Sequence, residues 1–168
     1  MRNAFILLLL TFTLVAFGSA GAQEFTVLAG VNTAELGTES FGDNWGYGAG
    51  FIFDINQHVG AYGTLETDDV MDGAFDRVDI ATYLKFTVAN SPKFALSGLC
   101  GFEWYGGKLP GGGIGNSQFD DPTIGLGLLA QYDVYNEFGV FGTATTTMFD
   151  GTELGDAGKL RLGVYKTF

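Results

Sequence analysis

Residues 45–56, WGYGAGFIFDIN, alternate between two kinds of side chain at every second position. One set is large and mostly apolar, from Trp45 to Ile55, and the other is rich in glycine and ends in Asp54 and Asn56. A strand projects successive side chains to opposite faces, whereas a helix would scatter both sets around its axis. The segment therefore predicts a β-strand with one apolar face and one small or polar face.

The same alternation recurs along the chain, for example in RVDIATYLKFTV at 77–88, and it predicts eight strands. The links between them alternate in length: about eleven residues, one at Gln57, ten, four at 89–92, sixteen, one at Asn136 and ten. An even number of antiparallel strands places both chain termini at the end that holds the short links, here called the terminal end, and the four long links at the opposite far end. The predicted strands are 23–33, 45–56, 58–66, 77–88, 93–105, 122–135, 137–147 and 158–168.

The N-terminus has the three parts of a secretory signal peptide. Arg2 supplies a positive charge, residues 4–17 form an apolar run, and Ala20-Gly21-Ala22 is a small-residue cleavage site. The run is short for a membrane-spanning helix. We therefore predict a signal peptide at 1–22 and a mature domain at 23–168, whose net charge is one unit more negative than the −11 of the full chain.

Charge and cysteine content exclude several classes of protein. The acidic excess argues against nucleic acid as a partner. Cys100 is the only cysteine, so the chain can form neither an internal disulfide nor a Cys-x-x-Cys metal site. Closing the sheet into a barrel would supply the missing stability, because every strand is then paired on both sides.

The signal peptide, the eight strands, the alternating link lengths and a last strand ending in Phe168 resemble the small eight-stranded outer-membrane β-barrels of the OmpA and OmpX kind, in the porin-like superfamily. The resemblance covers the whole mature chain. It implies a closed all-β, antiparallel up-and-down transmembrane barrel in the outer membrane of a Gram-negative bacterium. It also implies that the barrel-assembly machinery reads the last strand, with Gly163 and Phe168 at the matching positions, whereas Lys166 stands where the family usually has an apolar or aromatic residue.

The uniformly apolar face of such a barrel must meet lipid. This predicted lipid face consists of alternate residues within 25–31, 45–55, 78–88, 94–104, 124–134 and 160–164. Aromatic residues gather near both of its ends, as two membrane girdles require. The girdle candidates are Trp45, Tyr47 and Trp104 at the far end, and Phe53, Phe86, Phe94, Tyr132 and Phe138 at the terminal end.

The opposite face carries charges of both signs, both in the far half and in the terminal half of the predicted barrel. A buried ion is costly unless it is paired or wetted, so these residues are candidates for luminal ion pairs. Eight strands enclose a space that side chains just fill, and we predict a lumen plugged by ion pairs and by aromatics such as Tyr62 and Tyr83. The candidates are Glu66, Arg77, Asp79, Glu103, Lys159 and Arg161 in the far half, and Asp54, Lys85 and Asp133 in the terminal half.

No motif in the sequence predicts catalysis. His58 is the only histidine and falls at the terminal end, whereas the catalytic groups of outer-membrane acyl-modifying enzymes lie toward the outer leaflet. The glycine-rich segment LPGGGIGNS at 109–117 lacks the Gly-Lys-Ser/Thr of a phosphate loop. We expect a protein that is not an enzyme, with no catalytic residue, no metal site and no cofactor.

Most of the excess negative charge lies in the four long links. We expect a monomeric barrel, surrounded by outer-membrane lipid and lipopolysaccharide, that holds these acidic links out for an envelope-structural, surface-interaction or adhesion role. Divalent cations or a surface ligand are the expected partners of the links. Two alternatives remain: a narrow porin-like channel for ions or small solutes, and a soluble lipocalin-like ligand-binding barrel, which would turn its apolar face inward.

Overall fold

The computed structural model describes residues 24–36, 39–68, 77–105, 122–149 and 153–168, and the predicted signal peptide lies outside them. Near the far ends of several strands only the backbone is described. No helix among the described residues is long and apolar enough to cross a membrane. The described residues form eight strands: β1 (Glu24–Leu36), β2 (Glu39–Asp54), β3 (Val59–Asp68), β4 (Arg77–Ser91), β5 (Phe94–Tyr105), β6 (Thr123–Tyr135), β7 (Phe138–Phe149) and β8 (Glu153–Thr167).

The strands form a closed barrel in which each pairs antiparallel with its neighbours in the sequence, and β1 closes the sheet by pairing with β8. Ala29 of β1, for example, lies opposite Ala49 of β2 on one side and Val164 of β8 on the other. Every strand therefore has a partner on both sides, which satisfies the backbone hydrogen bonds of the barrel wall. The predicted fold, an all-β, eight-stranded antiparallel up-and-down barrel, is confirmed.

Two turns at the terminal end are longer than predicted. Residues 55–58 replace the single-residue link at Gln57, and residues 136–137 replace the one at Asn136. A tight hairpin needs two residues in its loop, so one residue cannot reverse the chain. Asn136 has a φ of 50°, a left-handed conformation that asparagine tolerates.

Two far-end links are shorter than predicted. β1 continues to Leu36 and β2 begins at Glu39, so only 37–38 lie between them, and only 150–152 lie between β7 and β8. The predicted alternation of long and short links is therefore wrong at the first and last links. Antiparallel backbone pairing needs no apolar side chain, so these hairpins continue through acidic sequence that carries no alternation signal.

The two faces of the barrel wall differ sharply in chemistry. Large apolar side chains point outward and are exposed, among them Leu128 at 55% and Leu162 at 65%. Charged and hydroxyl side chains point inward and are buried, which contradicts the lipocalin-like alternative. Val78 departs from the pattern: it shares the outward register of Ile80 near the far end of β4 but is only 5% exposed.

Candidate functional site

Five charged residues meet inside the far half of the lumen, and we call them the upper cluster: Glu66, Asp79, Glu103, Lys159 and Arg161. Lys159 Nζ donates to Glu66 Oε2 at 3.1 Å and also to Asp79 Oδ2. Lys159 lies on β8 and the two acids on β3 and β4, so these contacts cross the lumen. All five are at most 3% exposed.

Arg161 connects the two halves of the upper cluster. Its Nε donates to Glu66, its Nη1 donates to Thr145 Oγ1 at 2.8 Å, and its Nη2 lies 3.5 Å from Glu103 Oε1. Alternate residues of β8 share the inner face, so Lys159 and Arg161 project side by side from one strand. The guanidinium has several donors in a fixed plane and can serve two acids and a hydroxyl at once.

Glu103 is buried on β5 and receives hydroxyl donors as well as a positive charge. Tyr83 OH donates to Glu103 Oε1, and Thr145 Oγ1 donates to the same oxygen at 3.1 Å. Such complete pairing is what a buried carboxylate requires. The upper cluster is therefore a network of ion pairs to which the hydroxyl groups of Tyr83 and Thr145 add hydrogen bonds.

A layer of apolar and aromatic side chains lies below the upper cluster along the strands, toward the terminal end. Its aliphatic members, Leu28, Ile52, Leu99 and Leu129, are each at most 3% exposed. In the same cluster the rings of Tyr62 and Tyr83 pack with centroids 5.9 Å apart. The Tyr83 ring lies against Gly125 so closely that a Cβ there would come within 2.7 Å of its hydroxyl oxygen. A side chain at position 125 would thus displace the ring that donates to Glu103.

The terminal half of the lumen holds two contacts made by charged residues, and a cavity. Lys85 Nζ donates to Asp54 Oδ2 at 2.8 Å, and Tyr165 OH donates to Asp133. A polar cavity of about 350 Å³ opens at this end; we call it the vestibule. Its lining includes Glu24, Thr26, Asp54, Lys85, Gln131 and Asp133.

Of the nine residues predicted as luminal ion-pair candidates, seven lie in ion pairs inside the lumen: Asp54, Glu66, Asp79, Lys85, Glu103, Lys159 and Arg161. The side chain of Arg77 lies outside the described residues. Asp133 contacts a tyrosine rather than a cation. Sequence reasoning missed Thr145 and Tyr165, and only the alternation of β7 and β8 could have indicated that both face inward.

The girdle candidates lie on the outer face at the two ends. Trp45 and Tyr47 are 45% and 46% exposed near the far end, where Trp104 is half-buried. Near the terminal end four of the five are exposed and one is half-buried. These are Phe86, Phe94, Tyr132 and Phe138, with Phe53 the half-buried one.

The last strand ends in a small aromatic cluster on the outer face. Phe168 N donates to the carbonyl oxygen of Phe25 at 2.8 Å, which ties the chain end to β1. Lys166 Nζ lies 4.6 Å from the centroid of the Phe168 ring and 5.2 Å from that of Phe138. These distances allow cation–π attraction, so Lys166 is accommodated on an otherwise apolar face. Gly163, the other assembly-signal candidate, faces inward against the Phe141 ring.

The single histidine and the single cysteine of the chain, His58 and Cys100, lie outside the lumen. His58 is exposed in the 55–58 turn, where its ring Nε2 lies 3.2 Å from Gln57 Nε2. Cys100 is exposed on the outer face of β5. Across the described strands and turns, no three His, Cys, Asp or Glu side chains group as a metal site would require.

No protein-family model matches the sequence, and a search of curated proteins gives no match. Solved structures match by fold. One is Ail, the attachment invasion locus protein of Yersinia pestis, solved in complex with the heparin analogue sucrose octasulfate. It is 15% identical, and the match covers 88% of this chain and 100% of Ail, with a TM-score of 0.56.

Two other outer-membrane barrels match over similar lengths. The N-terminal β-barrel domain of Pseudomonas aeruginosa OprF is 10% identical over 86% of this chain and 97% of that one, with a TM-score of 0.61. Neisserial surface protein A is 14% identical over 89% of this chain and 99% of that one, with a TM-score of 0.55. The chain thus has the fold of the small eight-stranded outer-membrane barrels, as its sequence predicted.

Proposed function

We propose that the protein is a monomeric integral outer-membrane β-barrel with a plugged lumen, without enzymatic activity, that serves the envelope as a structural or surface-interaction protein. The observation that carries the proposal is the pairing of an exposed apolar exterior with a charged, closed interior. A signal peptide at 1–22 would direct the chain to export.

The exterior supports the membrane location. Soluble monomers rarely expose apolar patches larger than a few hundred Å². Here exposed large apolar or aromatic side chains occur on all eight strands, from Phe25 on β1 to Val164 on β8, and on β2 they are Trp45 and Tyr47. Lipid is the surrounding that such a surface favours, and exposed aromatics near both ends fit the two membrane interfaces.

The interior supports a plug. An ion crossing the lumen would have to displace the contacts of Lys159 and Arg161 with buried acids and then pass the layer around Leu28 and Ile52. Separating a buried ion pair leaves an uncompensated charge and is strongly unfavourable. A closed lumen would exclude transport, so the protein would act through its structural place in the envelope or through its far-end surface.

The far end is the proposed contact surface. The matched Ail structure holds a heparin analogue, a polyanion. The far-end segments of this chain, meaning the links together with the strand extensions beside them, are rich in Asp and Glu, and the chain carries −11 overall, so a polyanion would be repelled. A cationic surface partner fits this charge, as do divalent cations that bridge the links to lipopolysaccharide phosphates.

Fractionation tests the membrane location. The protein should stay with membranes through a carbonate wash, and its gel mobility should change on boiling, because a closed barrel resists detergent unfolding until it is heated. A soluble periplasmic protein processed in parallel is the control. Release into the soluble fraction would contradict the proposal.

A narrow channel is the second candidate, and the vestibule favours it because this polar cavity already opens part of the lumen to one side. Planar-bilayer recording of the purified protein separates the two functions. Sustained single-channel steps would support the channel, whereas bilayers that contain the folded protein and stay silent would support the plug. A known porin inserted under the same conditions controls for insertion.

A further inference from the structure

Lys166 is a cation on the apolar outer face, near the end of the last strand. It lies between Phe138 of β7 and Val27 of β1, which are opposite it in the two neighbouring strands. Val27 and Val164, the outward residue before Lys166 on β8, are both exposed, so the side chain is surrounded by the wall that faces lipid under the proposed function. A charge in such surroundings needs a specific partner or a path to the membrane surface.

The two aromatic rings beside Lys166 fix the direction of its side chain. Its Nζ lies 4.6 Å from the centroid of the Phe168 ring and 5.2 Å from that of the Phe138 ring. Phe138 pairs with Lys166 itself, whereas Phe168 is two residues further along the chain, toward the terminal end. Because Nζ is closer to the ring that lies further along, the side chain runs toward the end of the barrel. The ammonium therefore lies at the edge of the apolar wall.

The rings leave the hydrogen-bonding capacity of the ammonium unused. An ammonium has three N–H donors, and a ring face attracts its charge without offering an oxygen acceptor. Among the described residues, Nζ of Lys166 has neither an ion-pair partner nor a hydrogen-bond acceptor. The acids of this end lie elsewhere, since Glu24 and Asp133 line the vestibule and Glu137 lies in the turn between β6 and β7. An oxygen ligand from outside the chain can therefore complete the site.

The position and charge of the site identify the class of its ligand. Exposed aromatic side chains at the same end of the wall, among them Tyr132 and Phe138, mark the level of a membrane interface. Lipid phosphates lie at that level, and they combine negative charge with several oxygen acceptors. A phosphate there can accept the N–H donors of Lys166 while its acyl chains pack against wall residues such as Val164.

We propose that Lys166, held between Phe138 and Phe168, binds the phosphate group of a phospholipid in the membrane leaflet at the terminal end. The inference rests on the proposed membrane location and names a lipid partner for it. It also gives a reason for a lysine at the position where the family that the chain resembles usually has an apolar or aromatic residue. The two rings keep the ammonium at the interface, and its ion pair with the phosphate ties the end of β8 to the leaflet.

Nuclear magnetic resonance of the folded protein in micelles of an uncharged, phosphate-free detergent tests the site. The probe is dihexanoyl phosphatidylglycerol, added stepwise while the backbone amide signal of Phe168 is followed. We expect a saturable shift, and a dissociation constant about fivefold larger in Lys166→Met, since one lysine near an anionic lipid surface contributes roughly that factor. Lys166→Arg keeps the charge and should retain binding. The absence of a saturable shift in the unaltered protein would overturn the proposal.

Lys93→Met is the matched control for the loss of one charge. Lys93 is exposed in the turn between β4 and β5, and no ring among the described residues holds its ammonium, so its removal should leave the dissociation constant unchanged. Equal weakening in Lys93→Met and Lys166→Met would indicate general charge attraction and would overturn a site at Lys166. Lys166→Met only extends the apolar face, so we expect it to fold.

A second control removes the phosphate from the probe. Dihexanoylglycerol has the same acyl chains without a phosphate group, and it should give no shift that depends on Lys166. A shift of Phe168 equal to that with the phospholipid would mean that the acyl chains alone bind, and it would overturn the proposal.

The titration is independent of the test of membrane location. It uses the barrel folded in micelles, whereas fractionation of cells reports where the protein resides. Retention in membranes without phosphate binding would overturn this site alone, and release into the soluble fraction would contradict the proposed function.

Discussion

The ammonium group of Lys159 lies 3.1 Å from Glu66 Oε2, and the two side chains are 3% and 4% exposed. The residues are far apart in the sequence and lie on β8 and β3, so this contact spans the barrel interior. Arg161, at the next inward-facing position of β8, also forms an ion pair with Glu66. One strand thus supplies both cations that neutralise acids from β3, β4 and β5.

Removing the charge at position 159 should destabilise the barrel strongly. Lys159→Met leaves Glu66 and Asp79 buried with less positive charge nearby, and breaking a buried pair by removing one partner costs about 3–5 kcal/mol. Urea unfolding of the protein folded in lipid vesicles measures the loss. Lys93→Met, an exposed change in the turn between β4 and β5, is the control and should have little effect. Equal losses for the two variants would contradict the network.

The cost of a charge on the outer face should depend on depth along the strand. Leu128 lies near the middle of β6 and Val134 near its terminal end, and they are 55% and 59% exposed on the same face. Leu128→Arg should cost about 2–4 kcal/mol in a bilayer, and Val134→Arg only about 0–1 kcal/mol. Unfolding titrations in vesicles compare the two. If both variants were as stable as the unaltered protein, the surface would be one that meets water.

Gly139 should not tolerate a side chain. It faces inward opposite Tyr165, and a Cβ there would overlap the Tyr165 ring and lie 2.5 Å from the carbonyl oxygen of Tyr132. Gly139→Ala should cost about 1–3 kcal/mol through this overpacking. Gly98→Ala is the control, since its nearest atom is 4.0 Å away, and it should be neutral or stabilising. The difference between the two in thermal or urea unfolding is the measurement.

The terminal aromatic should matter for assembly. Phe168→Ser removes the ring against Lys166 and lowers the apolar character of the chain end, so less heat-modifiable barrel should accumulate in the outer membrane of expressing cells. Phe168→Tyr keeps the ring and should assemble normally. The fraction that shifts on boiling, measured by immunoblot of membrane fractions, reports assembly. Unchanged assembly in Phe168→Ser would show that the terminal aromatic is dispensable.

The barrel wall was predictable because its two sides meet different surroundings. A strand with one apolar face has apolar residues at every second position, and this alternation is visible in 45–56 and 77–88. Beyond the apolar band the constraint ends, and the strands of the first and last hairpins then continue through acidic residues such as Glu39 and Glu153. Backbone pairing holds these extensions, and it leaves no periodic signal in the side chains.

The candidate site was predictable in part for a related reason. Alternation and strand direction indicate the face and the level of each charge, which is how Lys85 and Asp54 were assigned to the same half. They do not indicate which acid meets which base, because that depends on register between strands distant in sequence. The inward hydroxyl residues Thr143 and Thr145 could not be singled out, since threonine is common in strands and its contacts are visible only in the folded barrel.

The orientation of the barrel wall toward lipid is tested most directly at Cys100, the only cysteine, which is exposed on the outer face of β5. A nitroxide attached to Cys100 in the protein reconstituted in lipid bilayers can be probed for collisions with oxygen, which concentrates in lipid, and with a water-soluble nickel chelate. Our account predicts frequent collisions with oxygen and few with the chelate. The reverse pattern would show that this face meets water and would contradict an integral membrane barrel.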